Sequence, residues 1–397
     1  MKHIRTITAN EMRGINRTAI LELIRRDGPT SRSYIAETLN VSLPTVMRIV
    51  DELIAEKYVR EIDEKEWSGG RRRSLIKFNT KEHLTIGLDL GGTKFYGAVS
   101  DLGGDILFER SIPRHGTKCE ESYQVITQLI QDLLEMAQQT SISIMGIGIG
   151  VPGVTYHDRG VIEWAPSLEW RNFPLAERLH NQFNLPIIVD NDVNLSALGE
   201  MWFGAGKEIN NLVLINIGTG IGAGVVIDGA LYRGSNEMAG EIGYLMPGRE
   251  FLLNDYPGYG ALELLSAGTG IAQRARDVLR TSRSQVDLDA ITAEDVFLAH
   301  RKGESWATGI IQETIDYLTI AIAVVITFFD PDVVALGGGV IQSADLLIGP
   351  ILQKLEGKVP RTPPIVASSL GHRAAALGAM INLLHNVSDF YIVRKLS

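Results

Sequence analysis

The stretch SGGRRRSLIKFNTKEHLTIGLDLGGTK, residues 68–94, joins two segments of different chemistry. Its first half places Arg71, Arg72 and Arg73 directly after a Gly-Gly turn. Its second half is an apolar strand that runs into Asp89 and a glycine-rich turn. Arginines on a turn suit the backbone of DNA, whereas a glycine-rich turn after a strand suits the phosphates of a nucleotide. The stretch therefore predicts a boundary between two domains.

The length and composition of the chain limit the classes of protein that it can be. With 397 residues, it is long enough for about two or three domains. Cys119 is the only cysteine, which excludes an intramolecular disulfide and a multi-cysteine zinc site. The N-terminal segment carries charges but lacks the apolar part of a signal peptide, and no run of about 18 apolar residues is present. We therefore expect a cytoplasmic protein without a membrane partner.

The charge of the chain is divided unevenly between its two ends. The net charge is −9, but residues 1–80 hold 15 basic and 11 acidic residues. The N-terminal part is therefore basic and the remainder acidic, as expected when only the N-terminal part binds nucleic acid. The basic excess is modest, so that charge alone supports DNA binding only weakly.

The pattern of the N-terminal part predicts a first helix and a short second one. Apolar residues recur with a helical period between Asn16 and Arg26, and the Asp-Gly-Pro sequence that follows ends the first helix. Thr30 or Ser31 can cap a second helix, which extends to Leu39. A short turn after this helix leads into a third helical segment.

The third helix is predicted to begin at Ser42, which would cap it, with Pro44 in the first turn. Thr45 and Arg48 lie near its start, where a recognition helix contacts base edges in the major groove. We therefore predict that Ser42, Thr45 and Arg48 contact DNA. The opposite side of the helix carries an apolar stripe that should pack inward. This stripe consists of Val46, Ile49, Val50, Leu53 and Ile54.

The segment after the third helix has the pattern of a two-stranded hairpin. Its strands are predicted at residues 58–62 and 75–78, with Arg71, Arg72 and Arg73 at the tip. Arginines at such a tip can contact phosphates or enter the minor groove. The helices and the hairpin together predict a winged helix-turn-helix. Two alternatives stay open, namely a helical oligomerisation module and a solvated arginine turn without DNA contact.

Three glycine-rich turns occur in the rest of the chain, and each follows an apolar strand. Backbone N–H groups in such turns can surround phosphate oxygens, and glycine permits the close approach of the ligand. One such turn alone is usually a hairpin, whereas three fit a nucleotide cleft between two α/β lobes. No GxxxxGK[ST] sequence is present, which argues against a P-loop enzyme. The residues are Asp89, Gly91, Gly92, Thr93 and Lys94, then Gly218, Thr219, Gly220 and Gly222, and then Gly337, Gly338 and Gly339.

The segment LPIIVDNDVNLSALGE, residues 185–200, brings polar side chains to the end of an apolar strand just before a helix. A carboxylate held there can accept a proton from a sugar hydroxyl as that hydroxyl attacks the γ-phosphate of ATP. Asp190 and Asp192 are the two candidates for this base. The alternative is that an aspartate only caps the helix, and we expect one of the two to do so.

Six ordered segments resemble the ROK family, which comprises repressors, open reading frames and sugar kinases. The resemblance extends over essentially everything after residue 80, and with the helix-turn-helix in front the chain is similar to the NagC/XylR-type transcriptional regulators of that family. It implies an α/β fold in which a winged helix-turn-helix (1–80) precedes a two-lobed, actin-like ATPase domain (81–199 and 200–397). The segments are DLGGTK (89–94), GIGVPG (148–153), VDNDVNLSALGE (189–200), INIGTGIGAGVVIDGALYRG (215–234), AGEIGY (239–244) and LGGGV (336–340).

The resemblance also implies roles for individual residues. ATP with Mg²⁺ and a sugar would share the cleft, with the first two glycine-rich turns on the phosphates and the third on the nucleoside. Asp192 matches the catalytic aspartate of the family, and Asn191 beside it matches a sugar-contacting position. Glu241 and Glu263 match acids that bind sugar hydroxyls. Gly153, at the end of the GIGVPG segment, belongs to the same predicted sugar site.

Two positions depart from the family pattern. Many members carry a zinc motif that begins with a histidine where this chain has Tyr244, and no cysteine follows here, so that we predict no zinc. Ser167 stands where sugar-kinase relatives usually have asparagine. Tyr244 is either a core residue that replaces a lost zinc ligand or a determinant of changed sugar specificity. Trp164 and Trp170 flank the loop of Ser167 and can stack on a sugar face, although core packing is favoured for at least one of them.

Two classes of function stay open at this point. The first is a sugar-responsive transcriptional regulator, in particular a repressor of carbohydrate metabolism genes, with a monosaccharide or sugar derivative as effector and operator DNA as partner. Helix-turn-helix proteins read paired half-sites, which implies a homodimer or homotetramer. The second is an active ATP-dependent sugar kinase with a regulatory DNA-binding module. The complete helix-turn-helix favours the first, and a signal would pass through a hinge at residues 79–83.

Overall fold

The N-terminal part of the chain folds as three helices followed by a two-stranded hairpin, as the sequence predicts. The computed structural model describes residues 9–63, 74–114, 119–256, 259–281 and 287–387. The predicted wing residues Arg71, Arg72 and Arg73 lie outside the described residues. The elements are α1 (Ala9–Asp27), α2 (Arg32–Leu39), α3 (Leu43–Ala55), β1 (Val59–Asp63) and β2 (Ser74–Phe78), and β1 pairs with β2 in antiparallel register.

The predicted apolar stripe holds α3 against the other two helices. Four of its residues are fully buried, and Ile54 is partly buried. Ser31 caps α2 as predicted, because its hydroxyl accepts a hydrogen bond from the N–H of Tyr34 at 3.2 Å. Ser42 stands at the N-cap position of α3, but its hydroxyl lies 2.8 Å from the hydroxyl of Thr45 and makes no capping bond to the backbone. The predicted cap is therefore wrong, because the Thr45 side chain takes the place of the backbone partner.

The first of two five-stranded sheets follows the hairpin. Its strand order is β10-β6-β3-β4-β5, in which β3, β4 and β5 form an antiparallel meander and β6 and β10 add in parallel. A separate three-stranded sheet, β7-β8-β9, lies between β6 and α5 in the chain. The elements are β3 (Leu84–Asp89), β4 (Lys94–Asp101), β5 (Ile106–Pro113), α4 (Cys119–Ala137), β6 (Ile144–Val151), β7 (Val154–Tyr156), β8 (Val161–Ala165), β9 (Trp170–Phe173), α5 (Leu175–Phe183), β10 (Ile187–Asn191) and α6 (Asp192–Phe203).

The second sheet repeats the plan of the first. Its order is β13-β12-β11-β14-β15, again with three antiparallel strands and two added in parallel. The corresponding turns of the two sheets, after β3 and after β11, face each other, and the space beside them is called the cleft below. The elements are β11 (Leu212–Ile217), β12 (Ile221–Ile227), β13 (Ala230–Tyr232), α7 (Ala261–Ser266), α8 (Gly268–Thr281), α9 (Ala293–Arg301), α10 (Ser305–Phe329), β14 (Val333–Gly337), α11 (Ala344–Leu355), β15 (Ile365–Ala367) and α12 (Ala374–Val387).

Helix α10 is the longest helix in the described part of the chain. By length and composition alone it is apolar enough to cross a membrane, with a mean hydropathy of 1.6 in its most apolar window, and half of that window is buried inside the protein. Glu313 and Asp316 interrupt its apolar residues, so that the helix contains no unbroken apolar run of about 18 residues. Its buried side chains, among them Ile311 and Ile322, pack into the core beside the second sheet.

Helices α6 and α12 form the layer between the two sheets. Helix α12 packs against β3 and β6 of the first sheet, and α6 packs against β11 and β12 of the second. The two helices cross at Gly199 and Gly378, where a Cβ atom on either residue would overlap a carbonyl oxygen of the other helix. The boundary predicted between residues 199 and 200 falls inside α6, so that the sheets rather than a position in the chain define the lobes.

We expect Gly378→Ala to destabilise the chain, because the added methyl group would overlap the carbonyl oxygen of Leu195. Overpacking of this kind costs about 1–3 kcal/mol or more. The matched control is Gly309→Ala on the exposed side of α10, where an added Cβ would meet no atom within 4 Å. Where space is available, replacing a helical glycine by alanine stabilises the folded state by about 0.5–1 kcal/mol. Thermal unfolding of both variants tests the close crossing, and equal midpoints would contradict it.

Candidate functional site

Strand β10 places three polar residues at the start of α6. Asn191 is the N-cap residue, because its Oδ1 accepts hydrogen bonds from the N–H groups of Val193 and Asn194, both at 3.0 Å. Its Nδ2 donates to the carbonyl oxygen of Gly153 at 3.0 Å, which joins two of the predicted sugar-binding positions. Asp192 follows as the first helical residue, with Oδ1 2.9 Å from the N–H of Val193. The cap that we expected from an aspartate is therefore made mainly by Asn191.

Asp190 is committed to a structural role. Its carboxylate is buried, and the guanidinium of Arg233 binds both of its oxygens at 2.7 Å. Asn382 on α12 donates a further hydrogen bond at 3.0 Å. These bonds connect β10 of the first sheet, the segment after β13 of the second sheet, and α12. Of the two candidate bases, only Asp192 is outside this network, and it makes no ion pair among the described residues.

Four predicted site acids share one electrostatic environment. Burial raises the pKa of Asp89, to which the charge of Asp192 adds, and burial also raises the pKa of Asp192. Burial together with the charges of Asp192 and Glu263 raises the pKa of Glu241 to about 6. The pKa of Glu263 is raised by burial, although its Oε2 accepts a hydrogen bond from the N–H of Ile221 at 3.0 Å. Each acid therefore resists full ionisation in this cleft.

The glycine-rich turns meet each other across the two sheets. A Cβ atom on Gly92 would lie 3.0 Å from Oγ1 of Thr219, so that the turn after β3 faces the turn after β11. Gly338 has a φ of 87°, and a Cβ there would overlap the backbone of Ile217 at the end of β11. The third turn is therefore packed against the second, and only glycine suits Gly338 on both counts.

Glu263, one of the predicted sugar-binding acids, lies directly beside these turns. A Cβ on Gly220 would lie 2.6 Å from Oε2 of Glu263. Lys94, the first residue of β4, is close enough to Asp89 that its positive charge partly offsets the rise in the pKa of that carboxyl. The other predicted phosphate residues occupy the same turns or their edges. Gly91 and Thr93 lie between β3 and β4, Gly218 lies between β11 and β12, Gly222 lies in β12, and Gly337 and Gly339 flank Gly338.

The aromatic residues near the site divide into core and exposed positions. Trp170 is only 1% exposed, stacks on Phe173 at 4.5 Å and donates from Nε1 to the carbonyl oxygen of Cys119. It is therefore a core residue, whereas Trp164 is 37% exposed. Tyr244 is 45% exposed, which contradicts the core interpretation. Burial and the nearby charges of Glu241 and Glu263 raise the pKa of its hydroxyl, which agrees with a position beside the site acids.

Ser167 lies in the short 3-10 helix Pro166–Leu168, and its side chain is exposed. This helix directly follows β8, and a Cβ on Gly153 would overlap the carbonyl oxygen of Trp164 in that strand. The chain segment of Ser167 is thus connected to the Gly153–Asn191 contact. No hydrogen bond of the Ser167 side chain to the site acids occurs among the described residues.

The predicted DNA-contacting residues of α3 lie on its outer side. Ser42 and Arg48 are exposed, and Thr45 is partly exposed. The helix is fixed relative to its neighbours by Arg32 of α2, whose guanidinium binds Asp51 of α3 at 2.9 Å and Glu61 of β1 at 2.8 Å. The start of α3 is therefore presented outward on a rigid base.

Comparisons with known proteins agree with this geometry. Residues 85–386 match the model of the ROK family, and residues 15–60 match a model for winged helix-turn-helix DNA-binding domains. The chain belongs to the ROK family. The xylose repressor of Caldicellulosiruptor bescii is 29% identical over 96% of this chain and 98% of its own length.

Two solved ROK structures resemble the chain over different extents. A ROK family transcriptional regulator, a homolog of the E. coli MLC protein, superposes with a TM-score of 0.81 at 25% identity, over 96% of this chain and 98% of its own. A ROK family glucokinase from Streptomyces griseus, in complex with glucose and AMPPNP, has a TM-score of 0.65 at 28% identity, over 75% of this chain and 97% of its own. The predicted fold class is thereby confirmed, since the regulator also covers the N-terminal part.

The ROK zinc motif has no counterpart in the described part of this chain. Among residues 9–63, 74–114, 119–256, 259–281 and 287–387, no group of three or more His, Cys, Asp or Glu side chains is arranged to hold a metal ion. The absence of zinc stays a prediction, as do the individual binding roles assigned to the site residues.

Sequence reasoning missed Arg233 and Asn382. Arg233 lies in a segment that resembles the family, at the end of GALYRG, but the pattern gives no partner for it. A buried aspartate at the end of an apolar strand needs a cation or several donors, which is the one signal that predicts such a partner. The distance in sequence, 43 residues to Arg233 and 192 to Asn382, hides which residues supply it.

Glu241 gives a prediction about pH and stability. Its pKa in the folded chain, about 6, lies above the ordinary value of 4.5, so that the folded state binds more protons. The free energy of unfolding therefore falls as the pH rises through this range. We expect Glu241→Gln to gain stability relative to the unmodified chain between pH 4.5 and 7.5, by up to about 2 kcal/mol.

Glu120→Gln is the matched control for this measurement. The guanidinium of Arg178 lowers the pKa of the Glu120 carboxyl, so that its contribution has the opposite sign. This control should lose stability relative to the unmodified chain as the pH rises. Thermal unfolding midpoints across the pH range decide the question, and parallel profiles for Glu241→Gln and the unmodified chain would refute the electrostatic assignment.

Proposed function

We propose that this protein is a sugar-responsive DNA-binding regulator, and specifically a repressor, of carbohydrate metabolism genes. The observation that carries the proposal is the direct packing of the helix-turn-helix onto α12, the helix that lies against both α6 and the first sheet. Buried residues of α1, among them Ile20 and Ile24, share one apolar cluster with Met380, Ile381 and Leu384 of α12. A DNA-binding domain and an enzyme domain that act independently would not need this shared core. The full-length similarity to a xylose repressor supports the same function.

A neutral sugar suits the chemistry of the cleft. The carboxylates of Asp192, Glu241 and Glu263 are acceptors, and sugar hydroxyls supply the donors that such acids need. Asn191 offers both a donor and an acceptor beside them. Binding of a polyol would satisfy acceptors whose burial is otherwise costly. The monosaccharide or sugar derivative that acts as effector is therefore expected to contact these four residues, with Gly153, Ser167 and Tyr244 at its edge.

The opposed glycine-rich turns also suit a nucleotide. The phosphates of ATP would lie between the turns that contain Gly92 and Thr219, whose backbone N–H groups can donate to phosphate oxygens. Mg²⁺ prefers oxygen ligands, and Asp89 would offer a carboxylate beside the first turn, since a Cβ built on Gly91 would lie 4.0 Å from its Oδ1. The metal would supply charge neutralisation at the phosphates. Binding of ATP without turnover is compatible with a regulator.

A second candidate function is an active ATP-dependent sugar kinase with a regulatory DNA-binding module. It is favoured by the state of Asp192, which lies outside the Asp190 network and next to Asn191. A base in this position would accept the proton of the attacking sugar hydroxyl. The similarity to a glucokinase bound to glucose and AMPPNP supports this candidate. It ranks second, because a kinase has no need of the N-terminal module.

The partners of the proposed regulator follow from its helix-turn-helix. One helix-turn-helix reads one half-site, and paired half-sites are about 34 Å apart along DNA, so that a homodimer or homotetramer is required. Operator DNA is the macromolecular partner, the cytoplasm is the place of action, and no membrane partner is needed.

Footprinting on the DNA upstream of the gene for this chain and its neighbours tests the proposal directly. The experiment is run at physiological salt with and without a pool of monosaccharides. A protected pseudo-palindrome whose protection changes with the pool is the expected result, and fractionation of the pool identifies the effector. A folded protein that protects no fragment would favour the kinase instead.

We expect Arg48→Ala to weaken operator binding by about 1–3 kcal/mol if Arg48 contacts a guanine. Arg301→Ala is the matched control, because Arg301 is an exposed arginine of α9 that pairs with Asp345 away from the helix-turn-helix. Replacement of Arg71, Arg72 and Arg73 by alanine should weaken binding to all sequences and lower the salt slope by about one per lost phosphate contact. If the affinity for operator DNA is unchanged in both variants, α3 and the predicted wing do not form the DNA-binding surface.

Asp192→Asn tests the second candidate function. If the chain phosphorylates a sugar, this substitution removes the base and should abolish turnover, whereas sugar affinity changes less. Asp190 cannot replace it, since Arg233 and Asn382 hold its carboxylate. Coupled ATP turnover with the same monosaccharides is the measurement. Undiminished turnover in Asp192→Asn would exclude Asp192 as the base.

A further inference from the structure

The helix that begins at the candidate sugar site ends at the DNA-binding domain. Asn191 caps α6 and Asp192 is its first residue, whereas Trp202 and Phe203 are its last. At 1.5 Å per residue, the helix spans about 18 Å between these ends. Trp202 and Phe203 pack against the apolar cluster that contains the buried residues of α1. One rigid element therefore contacts both functional regions.

A cation–aromatic contact forms the junction at the far end of α6. The guanidinium carbon of Arg25, in the last turns of α1, lies 3.9 Å from the ring centroid of Trp202. The ring of His385 on α12 meets the same indole edge-on at 5.2 Å. Burial lowers the pKa of His385, which favours a neutral ring here. Glu22, one turn before Arg25, holds the guanidinium by an ion pair at 3.1 Å.

Helix α6 is poorly able to absorb a displacement at its start. It crosses α12 at backbone contact through Gly199 and Gly378, and α12 in turn packs against the first sheet. Asn382 of α12 binds Asp190, the residue just before Asn191. A shift of the residues that contact a sugar is therefore shared by α6 and α12. Both helices end against α1.

We propose that the contact between Arg25 and Trp202 transmits occupancy of the sugar site to the DNA-binding domain. The inference rests on the proposed function, because it assumes that a sugar binds at the start of α6 and alters DNA binding. Coupling requires that the ligand changes the free-energy difference between two arrangements of the domains. The Arg25–Trp202 contact is made in this arrangement and is weakened in the other. It is a noncovalent route, additional to the chain connection at residues 79–83.

The test compares three affinities in each variant. Calorimetry gives the Kd for whichever of xylose, glucose and N-acetylglucosamine binds the unmodified chain. Gel-shift titrations on the upstream DNA fragment give the DNA Kd without and with that sugar at saturation, and their ratio is the coupling factor. Factors of about 5 to 150 are usual for coupled sites. The variants are Arg25→Ala, Trp202→Leu and Trp202→Phe.

We expect Arg25→Ala and Trp202→Leu to bring the coupling factor close to one, while the sugar Kd and the sugar-free DNA Kd change by less than about threefold. Trp202→Phe keeps an aromatic face and should retain most of the coupling. Arg178→Ala is the matched control, since the Arg178 guanidinium lies 3.8 Å from the ring of Tyr123 and pairs with Glu120, away from the junction. It should retain the full coupling factor.

Two results would overturn the inference while leaving the proposed function intact. One is a full coupling factor in Arg25→Ala and Trp202→Leu. The other is loss of coupling together with loss of sugar or DNA affinity, which would indicate general damage rather than transmission. If the unmodified chain binds none of the three sugars, or binds one without any change in DNA affinity, both the proposed function and the inference fail.

Discussion

The buried carboxylate of Asp190 is the constraint on which the site depends. A charge in this position is stable only because Arg233 and Asn382 supply donors to both oxygens. Removing one partner from such a buried pair typically costs about 3–5 kcal/mol, since the remaining charge is left without compensation. The three residues come from β10 of the first sheet, the segment after β13 and α12. Their contact therefore fixes the relative position of parts that no local sequence connects.

The functional residues take their places from this fixed point. Asn191 follows Asp190 directly and caps α6, so that its hydrogen bonds fix the residue at which the helix begins. Asp192 then faces the cleft and is left outside the ion-pair network. The same helix is packed against α12 and ends at the DNA-binding domain. A single connected layer thus sets the geometry of the acids and that of the domain junction.

The sequence predicts those features that depend on residues close together in the chain. The three N-terminal helices follow from their apolar periods and caps, and the glycine-rich turns follow from strands that end in Gly-Gly or Gly-Thr-Gly. Two details escape this reasoning even locally. Ser42 bonds to the hydroxyl of Thr45 instead of the backbone, and the sequence leaves open whether Tyr244 is a core residue, whereas the side chain is exposed. For Ser42 the outcome depends on which of two hydrogen-bond partners is closer. For Tyr244 it depends on whether the folded chain covers the side chain.

Contacts between distant residues are not predictable in this way. The pairs Asp190–Arg233 and Arg25–Trp202 join positions whose local patterns carry no information about each other. Composition indicates only that a buried charge needs a partner and that an exposed aromatic face suits a guanidinium. Each of the two sheets brings the ends of strands from separate segments of the chain together at one edge. Many contacts between residues that are distant in sequence follow from this arrangement.

The acids of the cleft show why a kinase scaffold suits a sensor. Burial raises the pKa of Asp192, Glu241 and Glu263, and the charges of Asp192 and Glu263 raise that of Glu241 further, so that negative charge in the cleft is held at a cost. Under the proposed function, the hydroxyl donors of a sugar would relieve that cost when all three acids contact the same ligand. Such binding would favour the lobe arrangement in which more of these acceptors are satisfied. That difference, and not the strength of binding as such, would be the free energy available to move α6 against α1 in the proposed regulator.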